Sequence, residues 1–304
     1  MTYEQVESFL AAVTCGNISA AADYLFVSQS TVSNRIQLME QELGISLFIR
    51  KKGHRNIELT SYGEAFIPIA SQWAALWKDT QNLKYAADIQ TLQIAAVDAV
   101  SNCTFVPLFN RHIEQYPNIR LSVNTFHSEE IHDMIQNRTM DMGFVFKQIR
   151  YPDILSKPVY RELMYLVCHK DSNYHNHIQP GELNPEEEIF LCWENDYQQW
   201  HDRHWNPAVR ALITVNTGSM LQHYLGKPGR WAIAPMSVIQ SISPLNNLTW
   251  YSIDDGPPPR ICYQLTNRYS KASRLAPIET FTNELEEFIE KSLSICRFED
   301  WMLA

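Results

Sequence analysis

The chain has 304 residues, 45% of them hydrophobic, with 25 Lys and Arg against 34 Asp and Glu for a formal charge of −9. That length suffices for two or three domains, and the composition excludes collagenous or disordered classes in favour of a soluble globular one. No stretch approaches the roughly 20 apolar residues of a membrane span, and MTYEQVESFL lacks the basic and apolar regions of a secretory signal.

Val6, Phe9, Leu10 and Val13 recur at helical spacing and predict a first helix closing near Gly16-Asn17. Ser19 is the expected N-cap of a short second helix, AAADYL, whose alanines allow close packing. Phe26-Val27-Ser28 separate it from a third helix with an apolar stripe at Val32, Ile36, Met39 and Leu43. Ser30, Ser33, Asn34, Gln37 and Gln41 gather on the opposite side. Uncharged donors and acceptors there are the chemistry that reads base edges. Two helices joined by so short a turn make a helix-turn-helix.

Gly44 ends the third helix. LFIR and NIELT then bracket KKGHR, which predicts a two-stranded hairpin with a basic tip, a wing lying over phosphates. Between Ser28 and Thr60, five basic residues (Arg35, Arg50, Lys51, Lys52, Arg55) outnumber three acidic ones (Glu40, Glu42, Glu58). Phosphate binding follows this local potential, not the net charge. A polar helix face or a basic loop taken singly is an ordinary solvated surface. Their fixed order after an Ala-rich helix points to DNA.

Over residues 3–65 the chain resembles the winged helix-turn-helix of LysR-type transcriptional regulators. The matching motifs are Val27–Gln29, Val32-Ser33, Met39–Gly44, Leu47–Arg50 and Leu59–Gly63. Ser30 stands where many members have proline, and Asn34 where arginine is frequent, so no target sequence carries over. The resemblance implies double-stranded promoter DNA as partner. It implies Gln29, Ser30, Ser33 and Asn34 at the groove, with Arg50, Lys51, Lys52 and Arg55 on or beside the wing; Thr31 and Gln37 are further DNA-binding candidates on the same helix.

From Ser61 to about Asp88, Phe66, Ile69, Trp73, Leu76, Thr80, Leu83 and Ala87 alternate three and four apart, a heptad seam. A helix of roughly 25 residues is near 38 Å long, more than a sixty-residue domain covers. The expected dimerisation residues are Phe66, Ile69, Trp73, Leu76 and Leu83. The resemblance also implies a linker helix pairing two subunits, association of dimers into tetramers, and RNA polymerase as a further partner.

From residue 91 short apolar runs alternate with helical patterns. LQIAAV, IRLSVNT and MGFVF read as strands of a parallel sheet, and ELMYLVCH, EIFLCW, ALITVNT and RWAIAP as a second set. LTWYSID, RICYQLTN and a helix over about 275–292 follow. The apolar tail LSICRFEDWMLA has no reading. Two such units leave a crevice at the carboxyl ends of their strands, where ligands bind. The resemblance implies a two-lobed effector-binding domain like periplasmic binding proteins. The fold class is therefore α/β overall, with a winged helix-turn-helix over 1–60, a linker helix over 61–90 and an effector-binding domain over 91–304. Lobe one is expected over about 91–160 and 266–304, and lobe two over about 161–265.

Strand ends and helix starts nominate Ser101, Asn102, Phe126, His127, Ser128, Phe146, Trp193, Tyr197, Trp200, Thr217 and Gly218 for the effector. Free N–H groups at helix starts favour a carboxylate and the aromatics a planar molecule, so the expectation is an aromatic or aryl-carboxylate effector and no cofactor. No GxSxG, GxxxxGK[ST], HExxH or GxGxxG occurs. His201 and His204 in WHDRHW lack a second cluster, so no metal is expected. The cysteines, Cys15, Cys103, Cys168, Cys192, Cys262 and Cys296, contain no CxxC pair and read as reduced residues of a cytoplasmic protein. The leading reading is a ligand-responsive transcription factor, not an enzyme. The alternatives are a solute-binding protein with an appended helical domain and an α/β enzyme.

Overall fold

The structure, a computed structural model, describes residues 1–49, 57–82, 89–243 and 247–299. Met1–Ile89 fall in one compact unit, and Gln90–Gln136 with Met140 onward in another.

In the first unit α1 (Tyr3–Cys15) opens on a capping box between Thr2 and Gln5 and ends at Gly16, whose φ of 72° suits glycine. α2 (Ile18–Tyr24) is capped by Asn17, not Ser19: the Asn17 carboxamide oxygen accepts the Ala20 N–H at 2.7 Å. α3 (Gln29–Leu43) ends at Gly44, also left-handed at φ 70°. Val6, Phe9, Ala21, Val32, Ile36 and Met39 close a shared core. Each large side chain buried there contributes about 1.5–3 kcal/mol. β1 (Phe48–Ile49) and β2 (Glu58–Leu59) pair antiparallel as the base of the expected hairpin.

α4 (Ser61–Asn82) is anchored by Thr60, whose hydroxyl accepts the Gly63 N–H at 3.0 Å and donates to the Ser46 carbonyl at 2.7 Å. A Cβ on Gly63 would lie 2.2 Å from the Leu47 carbonyl oxygen, so only glycine lets helix and hairpin approach this closely.

The second unit has two lobes. In lobe one β3 (Gln90–Ala96) runs parallel to β4 (Ile119–Thr125) and β5 (Met142–Val145), with α5 (Val106–Gln115) and α6 (Ser128–Gln136) as crossovers. β6 (Ile154–Glu162) is the outgoing strand, and lobe two starts with β7 (Met164–His169). Lobe two continues through β8 (Ile189–Phe190), α7 (Asn195–His204), β9 (Ile213–Thr214), α8 (Leu221–Tyr224), β10 (Trp231–Pro235), α9 (Met236–Ile242) and β11 (Leu248–Tyr251). The chain returns on β12 (Arg260–Asn267), then α10 (Ala272–Lys291) and β13 (Cys296–Arg297).

Lobe one's sheet has the order β13-β6-β12-β5-β3-β4. β12 is antiparallel to both β5 and β6, so the return to lobe one comes at Arg260, ahead of the expected position near 265. The second set does not repeat the parallel arrangement of the first. β10-β7-β11 is antiparallel, and only β8-β9 is parallel. The apolar tail gains a role, because β13 pairs with β6 and buries Ile295 and Phe298. α10 is clamped to α5 by the buried Glu284, which meets His112 Nδ1 at 2.6 Å and accepts from Arg111 Nε at 2.8 Å.

Candidate DNA-reading face and effector cleft

Ser28 starts α3. Its hydroxyl accepts the Thr31 N–H at 3.1 Å and lies 2.7 Å from the Ser30 and 2.8 Å from the Thr31 hydroxyls. Burial of Val32, Ile36 and Met39 fixes the helix rotation, leaving Gln29, Ser30, Ser33, Asn34 and Gln37 exposed and Thr31 half-buried. The exposed set is one neutral hydrogen-bonding surface over two turns, the shape and chemistry of a major-groove reader. Glu40 escaped sequence reasoning. Buried on the apolar side of α3, it accepts the Leu47 N–H at 2.7 Å and the Phe48 N–H at 3.2 Å. It thereby ties the hairpin to α3. The signal was present as a carboxylate four residues after Ile36, on the apolar stripe. Arg50, Lys51, Lys52 and Arg55 lie outside the described residues.

The seam on α4 divides. Phe66 is buried against Phe9 with ring centroids 5.1 Å apart, and Trp73 stacks on Tyr3 at 6.2 Å. Phe66 is thus taken up by its own unit's core, whereas Trp73 is half-buried and packs on that core from outside. Ile69 and Leu76 are 56% and 53% exposed and, with Tyr62 at 60%, form an unburied row at seven-residue spacing. Leu83 lies outside the described residues.

Between the lobes, Ser101 sits in a π-helical turn, Val100–Thr104, and its hydroxyl meets that of Thr125 at 2.7 Å. Asn102 donates to Asp98 at 2.7 Å. Asp98 also reaches lobe two, accepting the Gly218 N–H at 3.2 Å. Gly218 packs close to Val238 and Trp193, where a Cβ would come within 3.1–3.3 Å. Thr217 bonds Ser219 at 3.2 Å. At the other strand end Phe126 is half-buried, the His127 N–H donates to Glu130 at 2.9 Å, and the Ser128 carbonyl meets His132 Nδ1 at 2.7 Å. The helix starts expected to hold an effector carboxylate thus already hold carboxylates of the chain, Asp98 and Glu130, or serve local turns.

The aromatic expectation also changes. Arg260 lies over the Phe146 and Trp193 rings, its guanidinium carbon 3.5 Å and 4.7 Å from their centroids. Tyr197 and Trp200 are 2% exposed, and their ring contacts are all with lobe-two residues, so they belong to the lobe's interior. Arg260 donates to Glu162 at 3.1 Å and to both Glu194 oxygens at 2.9 and 3.1 Å. Ser237 donates to the second Glu162 oxygen at 2.6 Å. Burial works against the Arg260 charge, but Glu194 and Glu162 outweigh it and hold its proton more tightly than usual. Burial raises the Glu162 carboxyl above its ordinary value, with Arg260 and Ser237 opposing. This network spans β6, β12 and lobe two at the two crossings. Sequence reasoning missed it because its members are 66 and 98 residues from Arg260.

Burial pushes the Cys103 and Cys168 thiols up to about 11, so neither is a thiolate at neutral pH. Among the described residues, no helix is long and apolar enough to cross a membrane.

A family model described as bacterial regulatory helix-turn-helix protein, lysR family, matches residues 3–64, and one described as LysR substrate binding domain matches residues 87–288. The HTH-type transcriptional regulator CitR of Bacillus subtilis is 25% identical over 233 residues, 71% of this chain and 77% of that one. YofA of Bacillus velezensis is 29% identical over 164 residues, covering 53% and 56%. The structure of full-length CbnR complexed with its target DNA matches with a TM-score of 0.67 at 19% identity, covering 95% of this chain and 100% of that one. Full-length OxyR from Pseudomonas aeruginosa gives 0.66 at 18% identity and 94% of each chain. At such identities the structural likeness speaks for the fold. The domain pair, matched in order over most of the sequence, places the chain in the lysR family, as a DNA-binding transcriptional regulator with an effector-binding domain.

Proposed function

We propose that the chain works in the cytoplasm as a dimer that reads a two-fold promoter site with α3, without catalysis. Gln29, Ser30, Ser33, Asn34 and Gln37 face base edges, Thr31 braces the helix start, and Arg50, Lys51, Lys52 and Arg55 hold phosphates. The single supporting observation is the outward display of Ser33 and Asn34 opposite a buried Val32, Ile36 and Met39. Two protomers meet along Ile69, Leu76 and Leu83, and dimers pair into tetramers that engage RNA polymerase.

A small-molecule effector enters between the lobes near Ser101, Asn102, Phe126, Phe146 and Thr217. An aryl-carboxylate reaches the Gly218 N–H only by displacing Asp98, so the geometry favours an effector that donates a hydrogen bond to Asp98. The ligand shifts the balance between lobe arrangements by its differential affinity for them.

Footprinting and fluorescence anisotropy on the intergenic DNA beside the gene test this reading. Ser33→Ala and Asn34→Ala are each expected to weaken specific binding by about 1–3 kcal/mol and leave the salt dependence unchanged. Equal loss on specific and random DNA would refute the base-reading assignment.

A further inference from the structure

A groove at the seam of the two lobes encloses about 480 Å³, within the range of small-molecule sites. Lobe one supplies Asn102 from the π-helical turn, Val106 from the start of α5 and Phe288 from the end of α10. Lobe two supplies α9, through Ser237, Gln240 and Ser241. Of the residues at the proposed effector entry, only Asn102 also lines this groove. The wall that Asn102 belongs to departs from regular helix. The Phe105 N–H donates to the Val100 carbonyl at 2.9 Å, closing a wider loop than an α-helix makes, and such turns gather at functional sites.

The walls select an uncharged occupant. None of the described lining residues is Asp, Glu, Lys, Arg or His, and the Cys103 thiol, pushed up to about 11, keeps its proton. A charged guest would leave water with nothing of opposite sign beside it. An anion also finds no prepared helix start, because α5 carries Pro107, which lacks an N–H, in its first turn. Hydrogen-bonding groups nevertheless stand on both sides. Asn102, Gln240 and Ser241 are all exposed, so a guest can reach them. Asn102 spends one N–H on Asp98 at 2.7 Å and keeps its carbonyl oxygen, while the Gln240 carboxamide has no partner among the described residues. A purely apolar guest would strip water from these groups and return nothing. Apolar surface lies between them. Val106 is 40% exposed, Leu293 at the rim is 96% exposed, and the Phe288 ring is half-buried. The fitting molecule is therefore neutral, donates and accepts at several points, and has one apolar face.

We infer that this groove binds a neutral polyhydroxylated ring, a monosaccharide or cyclitol, held between Asn102 of lobe one and Gln240 of lobe two. Such a guest ties α9 to lobe one. Ser237, on the same helix, donates to the Glu162 carboxylate that Arg260 holds at the lobe crossing. The guest thus acts beside that brace and shifts the balance of lobe arrangements by preferring one spacing of the walls. The site requires neither the promoter reading nor an effector near Phe126.

Calorimetry on the full-length protein tests the inference with neutral hexoses and pentoses and myo-inositol, and with glucuronate and glucosamine as charged counterparts. At least one neutral compound is expected to bind, with both charged counterparts about tenfold or more weaker. Gln240→Ala is expected to weaken binding by about tenfold, and Ser241→Trp to abolish it by filling the groove. Both side chains are exposed, so the melting temperature of the free protein should stay unchanged. Phe126→Ala, at the proposed effector entry, should leave the affinity unchanged. If Ser241→Trp fails to fold, Gln240→Ala decides alone. Absence of binding by every neutral compound overturns the site. So does equal affinity for a charged counterpart, affinity that survives Gln240→Ala, or affinity that falls with Phe126→Ala. Loss of promoter binding would leave these results standing, so the site fails or holds separately from the regulatory reading.

Discussion

Replacing Arg260 with Met tests whether the lobe crossings are held by charge. The substitution keeps much of the side chain's apolar length between Phe146 and Trp193 but removes the cation from Glu162 and Glu194. Glu194 is 29% exposed and recovers water, whereas Glu162 is fully buried and keeps only Ser237. Stranding one member of a buried pair costs about 3–5 kcal/mol. For a domain of this size that lowers the melting temperature by roughly 6–20 °C.

The deficit depends on pH in a fixed direction. Burial already raises the Glu162 carboxyl in the parent, and without Arg260 it rises further. The folded variant then binds a proton that the unfolded chain releases. Its stability is fully present below the ordinary carboxyl value and is lost as pH rises through the raised one. Scanning calorimetry between pH 5 and 8 should therefore show the larger loss at the alkaline end. Adding Glu162→Gln should recover part of it. A deficit of under about 1 kcal/mol at neutral pH, or one that does not vary with pH, would refute the assignment of this network as the brace between the crossings.

Three further outcomes are expected. Glu40→Gln exchanges charge-assisted bonds to Leu47 and Phe48 for weaker neutral ones and should cost about 1–2 kcal/mol in urea denaturation, with weaker promoter binding. Ile69→Glu with Leu76→Glu should give monomers in sedimentation while leaving circular dichroism unchanged; Trp73→Glu should in addition destabilise the amino-terminal unit by about 1–3 kcal/mol, because half-buried Trp73 stacks on Tyr3. Asp98→Ala frees the Gly218 N–H, so benzoate should bind this variant about tenfold more tightly than the parent in calorimetry, and equal affinities would exclude Gly218 as an anion donor.

What the sequence made legible was local. The spacing of Val32, Ile36 and Met39 set the rotation of α3 and hence the outward face. Glycines at 16 and 44 marked helix ends through their left-handed backbone. Capping was less readable, because Asn17 and Ser19 are both good N-caps and only the geometry of the turn after Gly16 decides between them. The α4 spacing fell on one helix, but a period of seven cannot say whether a residue packs into its own domain or stays on the surface. Phe66 is buried in its own unit and Ile69 is exposed. RICYQLTN was readable as a strand, whereas its lobe depends on pairing with β5 and β6, which no local pattern carries. The charges around Arg260 and the carboxylate on Gly218 join residues 66 to 120 positions apart, and such meetings are properties of the fold.

The bond from Asp98 to Gly218 has a consequence for sensing. If the effector enters here as proposed, a carboxylate fixed to the chain is a built-in competitor for any anion, at an effective concentration on the order of millimolar or above that never varies with the cell's metabolism. A dissolved anion would have to outcompete it to reach the Gly218 N–H, whereas a visitor that donates to Asp98 would not, so under the proposed reading the bond sorts ligands by the sign of their charge.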